Sequence, residues 1–380
     1  MNGTLKLLLF FLCLAHSAAW AQEPLERGVN LSHWLQYWGR QPVIPAELKK
    51  LKQVGFDHVR LPFDPALYGW QPPSPEVNLQ ALDMALAMIL DAGLTVILDV
   101  HPGVKMALRI ETEETFQQAF VALWAKLASH YSNISEDRLV FELLNEPQYY
   151  DTPPTAYRNL MQETLKVVRQ SAPRHRVLID AIHGGSISGL EGLEGFPPDD
   201  SLGFVFHYYL PYFFTHLNAP WEPFSEDVNA MVAGLMYPAY LTTIGQLRLL
   251  PGANLLTVTQ AVRQYTSEGW NSIRIAREIG AAKAWAKRLG APLLCNEFGV
   301  IRIGTDDDSQ ARWLKDVRTA LEKSGFGWTV WDYGDAFGIA DATGLVKVEK
   351  DSARVSLEHP PKPRVFRPKA LAALGLHDTP

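Results

Sequence analysis

The chain has 380 residues, 47 % of them hydrophobic and 20 % charged, with a formal net charge of −6. This supplies material for a large core and excludes a disordered chain. Mild acidity without a basic run argues against nucleic acid as a partner.

The first 21 residues stand apart from the rest. Lys6 precedes an apolar run, LLLFFLCLA, that is too short to span a bilayer, and Ala19-Trp20-Ala21 is a small-x-small cleavage pattern. The reading is a signal peptide over 1–21, export to the periplasm or the medium, no stable membrane insertion, and one domain over 22–380. Leu12 before Cys13 is too large for a lipoprotein site. With Cys13 removed, Cys295 is left without a partner, so no internal disulfide is expected.

Beyond this point short apolar strands alternate with amphipathic helices. GVNLSHW (28–34) is the first strand candidate, followed by a helix that Pro45 starts. HVRLPF (58–63) is the second. Its helix places Leu79, Leu82, Leu86 and Ile89 at helical spacing and stops at Gly93. LTVILDVHP (94–102) precedes a helix predicted over 113–131, and RLVFELLNEP (138–147) one over 154–171. RVLIDAIHG (176–184) and LGFVFHYYLP (202–211) are the fifth and sixth strands. PLLCNEFGV (292–300) precedes a helix over 308–324, and GWTVWDYG (327–334) is the eighth strand. A closing helix lies near PKALAALGL.

Eight strands in strict alternation, several apolar on both faces, predict an α/β fold: a (β/α)8 TIM barrel. The competitor is an open doubly wound sheet, but no GxGxxG or GxxxxGK[ST] loop follows any strand. Residues 212–267 are too many for one connection and read as an insertion between strand six and its helix, which is predicted over 267–289. A lid over the active end and a decorative extension are both open readings of it.

In such a barrel the C-terminal strand ends form the active face. The unusual polar residues collect there: Arg60 in strand two, His101 ending strand three, Asn145 and Glu146 ending strand four, His207 and Tyr209 ending strand six, Glu297 ending strand seven and Trp331 near the end of strand eight. Singly each has a bland explanation, as a paired core charge, a turn or a cap; their shared rim does not. Two carboxylates on facing strands, Glu146 and Glu297, suit cleavage of a glycosidic bond, with one giving a proton to the leaving oxygen and the other attacking the anomeric carbon.

From GVNLSHW to WTVWDYG the chain resembles glycoside hydrolase family 5, the cellulase-type retaining β-glycosidases on a (β/α)8 barrel. LLNEP is the most specific motif. The resemblance implies Glu146 as acid/base, Asn145 as a ligand of the sugar 2-hydroxyl, and Glu297 of NEFGV as nucleophile. It further implies Arg60 near that nucleophile, His101, His207 and Tyr209 as supporting site residues, and Trp331 as a sugar platform. Arg60 is expected to lower the pKa of Glu297, and apolar surroundings to raise that of Glu146. His207 is expected to touch substrate more directly than His101. Trp34, Trp38, Tyr149, Tyr212 and Trp221 are candidates for further subsites.

Glu142, Asp99 and Asp180 read as buried, paired structural carboxylates, and Cys295 as core filling facing inward with Glu297. Asp306–Asp308 reads as a solvated helix start. Without HExxH or a Cys/His cluster, no metal or cofactor is expected. The partner expected is a β-linked polysaccharide or oligosaccharide, acted on by a monomer. Three functions stay open: an endo-β-1,4-glucanase, the same chemistry on mannan, mixed-linkage or β-1,3-glucan or an exopolysaccharide, and a non-catalytic carbohydrate-binding barrel. The last has no need of both Glu146 and Glu297.

Overall fold

The computed structural model describes residues 25–32, 34–36, 43–219, 232–250, 253–342 and 362–378. Eight parallel strands close into a barrel: β1 (Arg27–Asn30), β2 (His58–Phe63), β3 (Thr95–Val100), β4 (Leu139–Glu142), β5 (Val177–Asp180), β6 (Leu202–Tyr208), β7 (Leu293–Phe298) and β8 (Trp328–Val330). They stand in chain order, and β8 pairs with β1, so the sheet has no edge. The expected (β/α)8 barrel is the observed one.

Among the described residues the α-helices of six or more residues are α1 (Pro45–Val54), α2 (Gln80–Asp91), α3 (Val104–Thr112), α4 (Glu114–Tyr131), α5 (Pro154–Ser171), α6 (Leu255–Glu268), α7 (Ser272–Leu289), α8 (Asp307–Ser324) and α9 (Pro368–Ala373). Three differ from the sequence reading, one of them α6, a helix in the stretch read only as insertion. An additional helix, α3, precedes the one expected after β3. The helix expected over 267–289 starts later, because Gly269, at φ +67°, ends α6 and the Asn271 side chain caps α7, accepting from Ile273 N at 2.9 Å and Arg274 N at 3.1 Å. Asp306 caps α8 by accepting from Ser309 N at 2.9 Å, while Asp307 and Asp308 pair with Arg367 and Lys369. The acidic run is a helix start, as read.

The described part of the insertion is tied to the barrel wall. Tyr237 is buried; its hydroxyl donates to Asp316 Oδ2 on α8 at 2.7 Å and its ring packs with Phe214. The stretch read as a signal peptide, Trp38, Trp221 and the centre of the insertion lie outside the described residues.

Strand alternation sorts the core into two parts. Outward side chains join the helices in one large cluster. Inward ones form a small floor of Ile97, Val140, Leu178, Val205 and Leu294, with Leu25. Two residues further along four of those strands the same face carries Asp99, Glu142, Asp180 and His207, all buried. On β7 the alternation breaks. Phe206 is level with Cys295 but His207 is level with Glu297, so Asn296 is an extra residue, a β-bulge. Cys295 therefore joins the outer cluster, while Glu297 turns into the lumen. The expectation that these two residues share a face fails on this one-residue slip.

Candidate active site

The mouth is built around Arg60, which is fully buried on β2. Its Nε and Nη2 donate to Glu142 Oε2 at 2.9 Å and Oε1 at 2.6 Å, a two-pronged pair. Nη1 reaches Asn30 Oδ1 at 3.0 Å and Glu297 Oε1 at 2.5 Å. Nη2 also reaches Asn145 Oδ1 at 2.7 Å and Asp99 Oδ2 at 2.8 Å. One cation thus serves three carboxylates, which hold its own pKa well above the usual value despite burial. Asn30 steadies it from β1, where its Nδ2 is anchored on Asn296 O at 3.0 Å.

This hub orients Asn145. With its oxygen taken by Arg60, its amide nitrogen faces His101 Nε2 at 3.0 Å. Nε2 must accept, so the ring proton lies on Nδ1, 2.8 Å from Asp99 Oδ2. The second Asn145 N–H is left for the cleft. His101 also lies beneath Trp331, ring centroids 5.9 Å apart and 26° from parallel.

Glu146 follows directly and also enters the mouth. The chain stays bonded to β3 as far as Asn145, whose N–H donates to Val100 O at 3.0 Å. Glu146 then takes φ +45°, a left-handed conformation uncommon for a residue with a Cβ. This turn lets two consecutive side chains point into one site and explains why an apolar strand ends on Asn-Glu-Pro. A carboxylate oxygen of Glu146 and one of Glu297 lie within 4.8 Å of each other, with His207 between them. His207 Nδ1 is 2.8 Å from Glu146 Oε1 and 3.6 Å from Glu297 Oε2. Tyr209 donates to Glu297 Oε2 at 2.9 Å, so both oxygens of Glu297 are held.

The electrostatics depart from expectation. Burial raises the pKa of the Glu297 carboxyl, and the opposing pull of His207 and Arg60 does not cancel it. Glu146 lacks the apolar surroundings expected of it: its side chain is 37 % exposed, against 5 % for Glu297. Burial also lowers His101 and His207 to about 4 and raises Asp99 to about 7. Both rings are neutral at ordinary pH. The His207 side chain is 1 % exposed and that of His101 12 %.

All eight site residues singled out in the sequence converge here. Asn30 was missed, although a lone amide in an apolar strand was its signal. Asp180 was set aside as a paired structural carboxylate; instead its Oδ2 accepts from Glu146 N at 2.9 Å. Of the proposed rim aromatics, Tyr149 is core, Trp34 is half-buried against the core, and Tyr212 is partly exposed, stacked on His216 at 3.9 Å. Cys295 is buried, its thiol pushed well above the usual range, so it is no nucleophile.

Residues 21–337 match the family model described as Cellulase (glycosyl hydrolase family 5). The chain belongs to that family, whose members act with retention, and it is a retaining O-glycoside hydrolase. Among curated relatives, Endoglucanase C of Acetivibrio thermocellus is 28 % identical over 324 residues, spanning 80 % of this chain and 90 % of the relative. Cellodextrinase A of Ruminococcus flavefaciens is 25 % identical, spanning 84 % and 90 %. Thermotoga maritima Cel5A, solved with cellobiose, superposes with a TM-score of 0.71 at 22 % identity over 94 % of this chain and 99 % of that one. At that identity the superposition speaks to the fold alone. Among the described residues no helix is long and apolar enough to cross a membrane.

Proposed function

We propose that the protein is a secreted endo-acting β-glucanase of the β-1,4 type, acting as a monomer. The observation that carries this reading is the carboxylate pair, whose oxygens lie within 4.8 Å at the mouth of the barrel. Retaining chemistry uses carboxyls about 5–5.5 Å apart, and inverting chemistry needs a wider gap for water. The choice of β-glucan draws on the endoglucanase and cellodextrinase relatives, and export on the N-terminal pattern.

Glu146 gives its proton to the glycosidic oxygen while Glu297 attacks the anomeric carbon. The carbon–oxygen bond to the leaving sugar breaks and an ester to Glu297 forms. Glu146, now a carboxylate, takes a proton from water; the resulting hydroxide displaces Glu297 and restores both groups. Arg60 and Tyr209 hold the two oxygens of Glu297 in place for attack. The free N–H of Asn145 binds the sugar 2-hydroxyl, and Trp331, resting on His101, stacks on a sugar ring.

Glu297→Ala and Glu146→Ala are each expected to lower turnover of soluble β-glucan at least about 10⁴-fold with the fold retained. Azide is expected to restore the Glu297 variant, giving a glycosyl azide of inverted configuration. Proton NMR of the first wild-type product is expected to show retention. Near-wild-type activity in either variant removes these roles. A panel of soluble glucans and mannans tests the polymer, and preference for mannan over every glucan overturns that choice.

A further inference from the structure

The geometry points to Asp180, on β5, as a positioning residue for the acid/base: it holds the backbone of Glu146 in its turned conformation and sets which nitrogen of His207 carries the proton. This rests on the roles given above to Glu146 and Glu297.

The first half is direct. Glu146 is a non-glycine residue at φ +45°, a conformation that costs about 1–2 kcal/mol. Its N–H has left the strand ladder and is taken up by Asp180 Oδ2 at 2.9 Å. Asp180 is fixed in turn. It lies at the end of β5, and its main-chain oxygen accepts from the Tyr157 hydroxyl at 2.9 Å. Gly185, at φ +72°, leaves the room: a methyl there would lie 2.8 Å from His207 Cγ and 3.2 Å from Asp180 Oδ1.

The second half follows from counting protons. A neutral imidazole has one N–H and one lone pair. His207 presents Nδ1 to Glu146 Oε1 at 2.8 Å and Nε2 to Asp180 Oδ2 at 3.5 Å. Nε2 has no closer hydrogen-bond partner among the described residues. Two ionised carboxylates would both require the single ring proton, so one of the two acids must hold a proton of its own toward the ring. Asp180 is the better holder. It is fully buried, and Arg60 pairs with Asp99, Glu142 and Glu297 and, among the described residues, not with it. The groups that face it are Glu142 and Glu146 from β4 and its end, His207 from β6, the neutral Tyr157 from α5 and Cys295 from β7, and Arg60 at longer range from β2. Burial and Glu142 push its carboxyl well above the ordinary range, outweighing the Glu146 N–H and Arg60.

A neutral Asp180 turns its O–H toward Nε2, and the ring proton goes to Nδ1, which donates to Glu146 Oε1. The transferable proton of Glu146 then sits on Oε2. After it leaves, the same Nδ1–H supports the carboxylate that must act as base. Asp180 and His207 keep their own protons throughout.

The test compares kcat/KM for β-cellobiosyl fluoride, whose leaving group needs no acid, with that for phenyl β-cellobioside, whose leaving group does. Titration with a 2-fluoro cellobiosyl fluoride counts folded sites. Asp180→Ala is expected to lose about 10²-fold on the phenyl glycoside and less than about threefold on the fluoride. Asp180→Asn keeps the site uncharged and its amide oxygen can still accept from Glu146 N, though the same atom cannot also donate to Nε2; it is expected to recover the phenyl glycoside rate to within about tenfold of wild type and to leave the alkaline limb of its pH profile unmoved. Equal losses on both substrates, or none, overturn the inference. So does an Asn variant as poor as Ala, or an alkaline limb shifted by more than about half a pH unit. If Asp180→Ala does not fold, the Asn variant decides by the same criteria. A wild type that cleaves neither substrate sinks the glucanase reading instead.

Discussion

The floor and the mouth of this barrel are built on the same strands, two residues apart. Ile97 precedes Asp99, Val140 precedes Glu142, Leu178 precedes Asp180 and Val205 precedes His207. The backbone is equivalent and both levels are buried, yet one is hydrocarbon and the next is polar and titratable. An apolar layer stabilises by leaving water. Charges at the same depth lose hydration and recover it only through pairing, here by Asp99 and Glu142 sharing the guanidinium of Arg60. The floor contributes stability, and the mouth spends part of it on holding reactive groups in place.

The sharpest way to break that contrast is to remove the cation. Arg60→Met leaves Asp99, Glu142 and Glu297 without their shared partner. The expected cost is about 3–5 kcal/mol in denaturant unfolding together with at least about a 10³-fold fall in kcat/KM. A stable, active variant would show that the carboxylates do not need it. The counterpart on the floor is Leu178→Ala, expected to cost about 3 kcal/mol in the same unfolding measurement while kcat per folded enzyme stays within about threefold. A large change in kcat would show that the levels are mechanically coupled.

The smallest effect lies beside the mouth. Burial lowers His216 to about 3, so it is neutral in the folded state. The unfolded chain binds its proton first, near pH 6.5. Stability from keeping it neutral is complete above that value and is lost as pH falls toward the folded pKa. His216→Gln is expected to make the fall in unfolding free energy between pH 6.5 and 4 shallower, by roughly 1–2 kcal/mol at pH 4 in denaturant unfolding. An unchanged slope would mean that this ring takes up its proton while still packed.

Much of this was legible before any coordinates. The second strand, His58–Phe63, and the helix Pro154–Ser171 were read to the residue, because a tight apolar run and a proline start leave little freedom. That these polar side chains meet at one mouth was legible because polar side chains at the ends of apolar strands need a reason. Direction was harder. Strand parity cannot reveal an inserted residue, so Cys295 was assigned the face that Glu297 takes. Asp180 looked the same in sequence as Asp99 and Glu142, since all three are acids within apolar strands. Only the turn at Glu146 brings a main-chain N–H to Asp180 rather than a cation. At Glu297 the lowering by Arg60 was legible, but the larger effect of burial was not, because a motif shows its neighbours and hides its depth.

The single guanidinium at the hub has a consequence for the reaction cycle. On the roles proposed above, a sugar esterified to Glu297 would remove one negative charge from a crowded centre, leaving Arg60 to balance Asp99 and Glu142 alone. The resting enzyme is then the tense member of the cycle, and the acylal-like intermediate is the electrically relaxed one. A barrel that carries too much negative charge when empty favours the covalent state it must form.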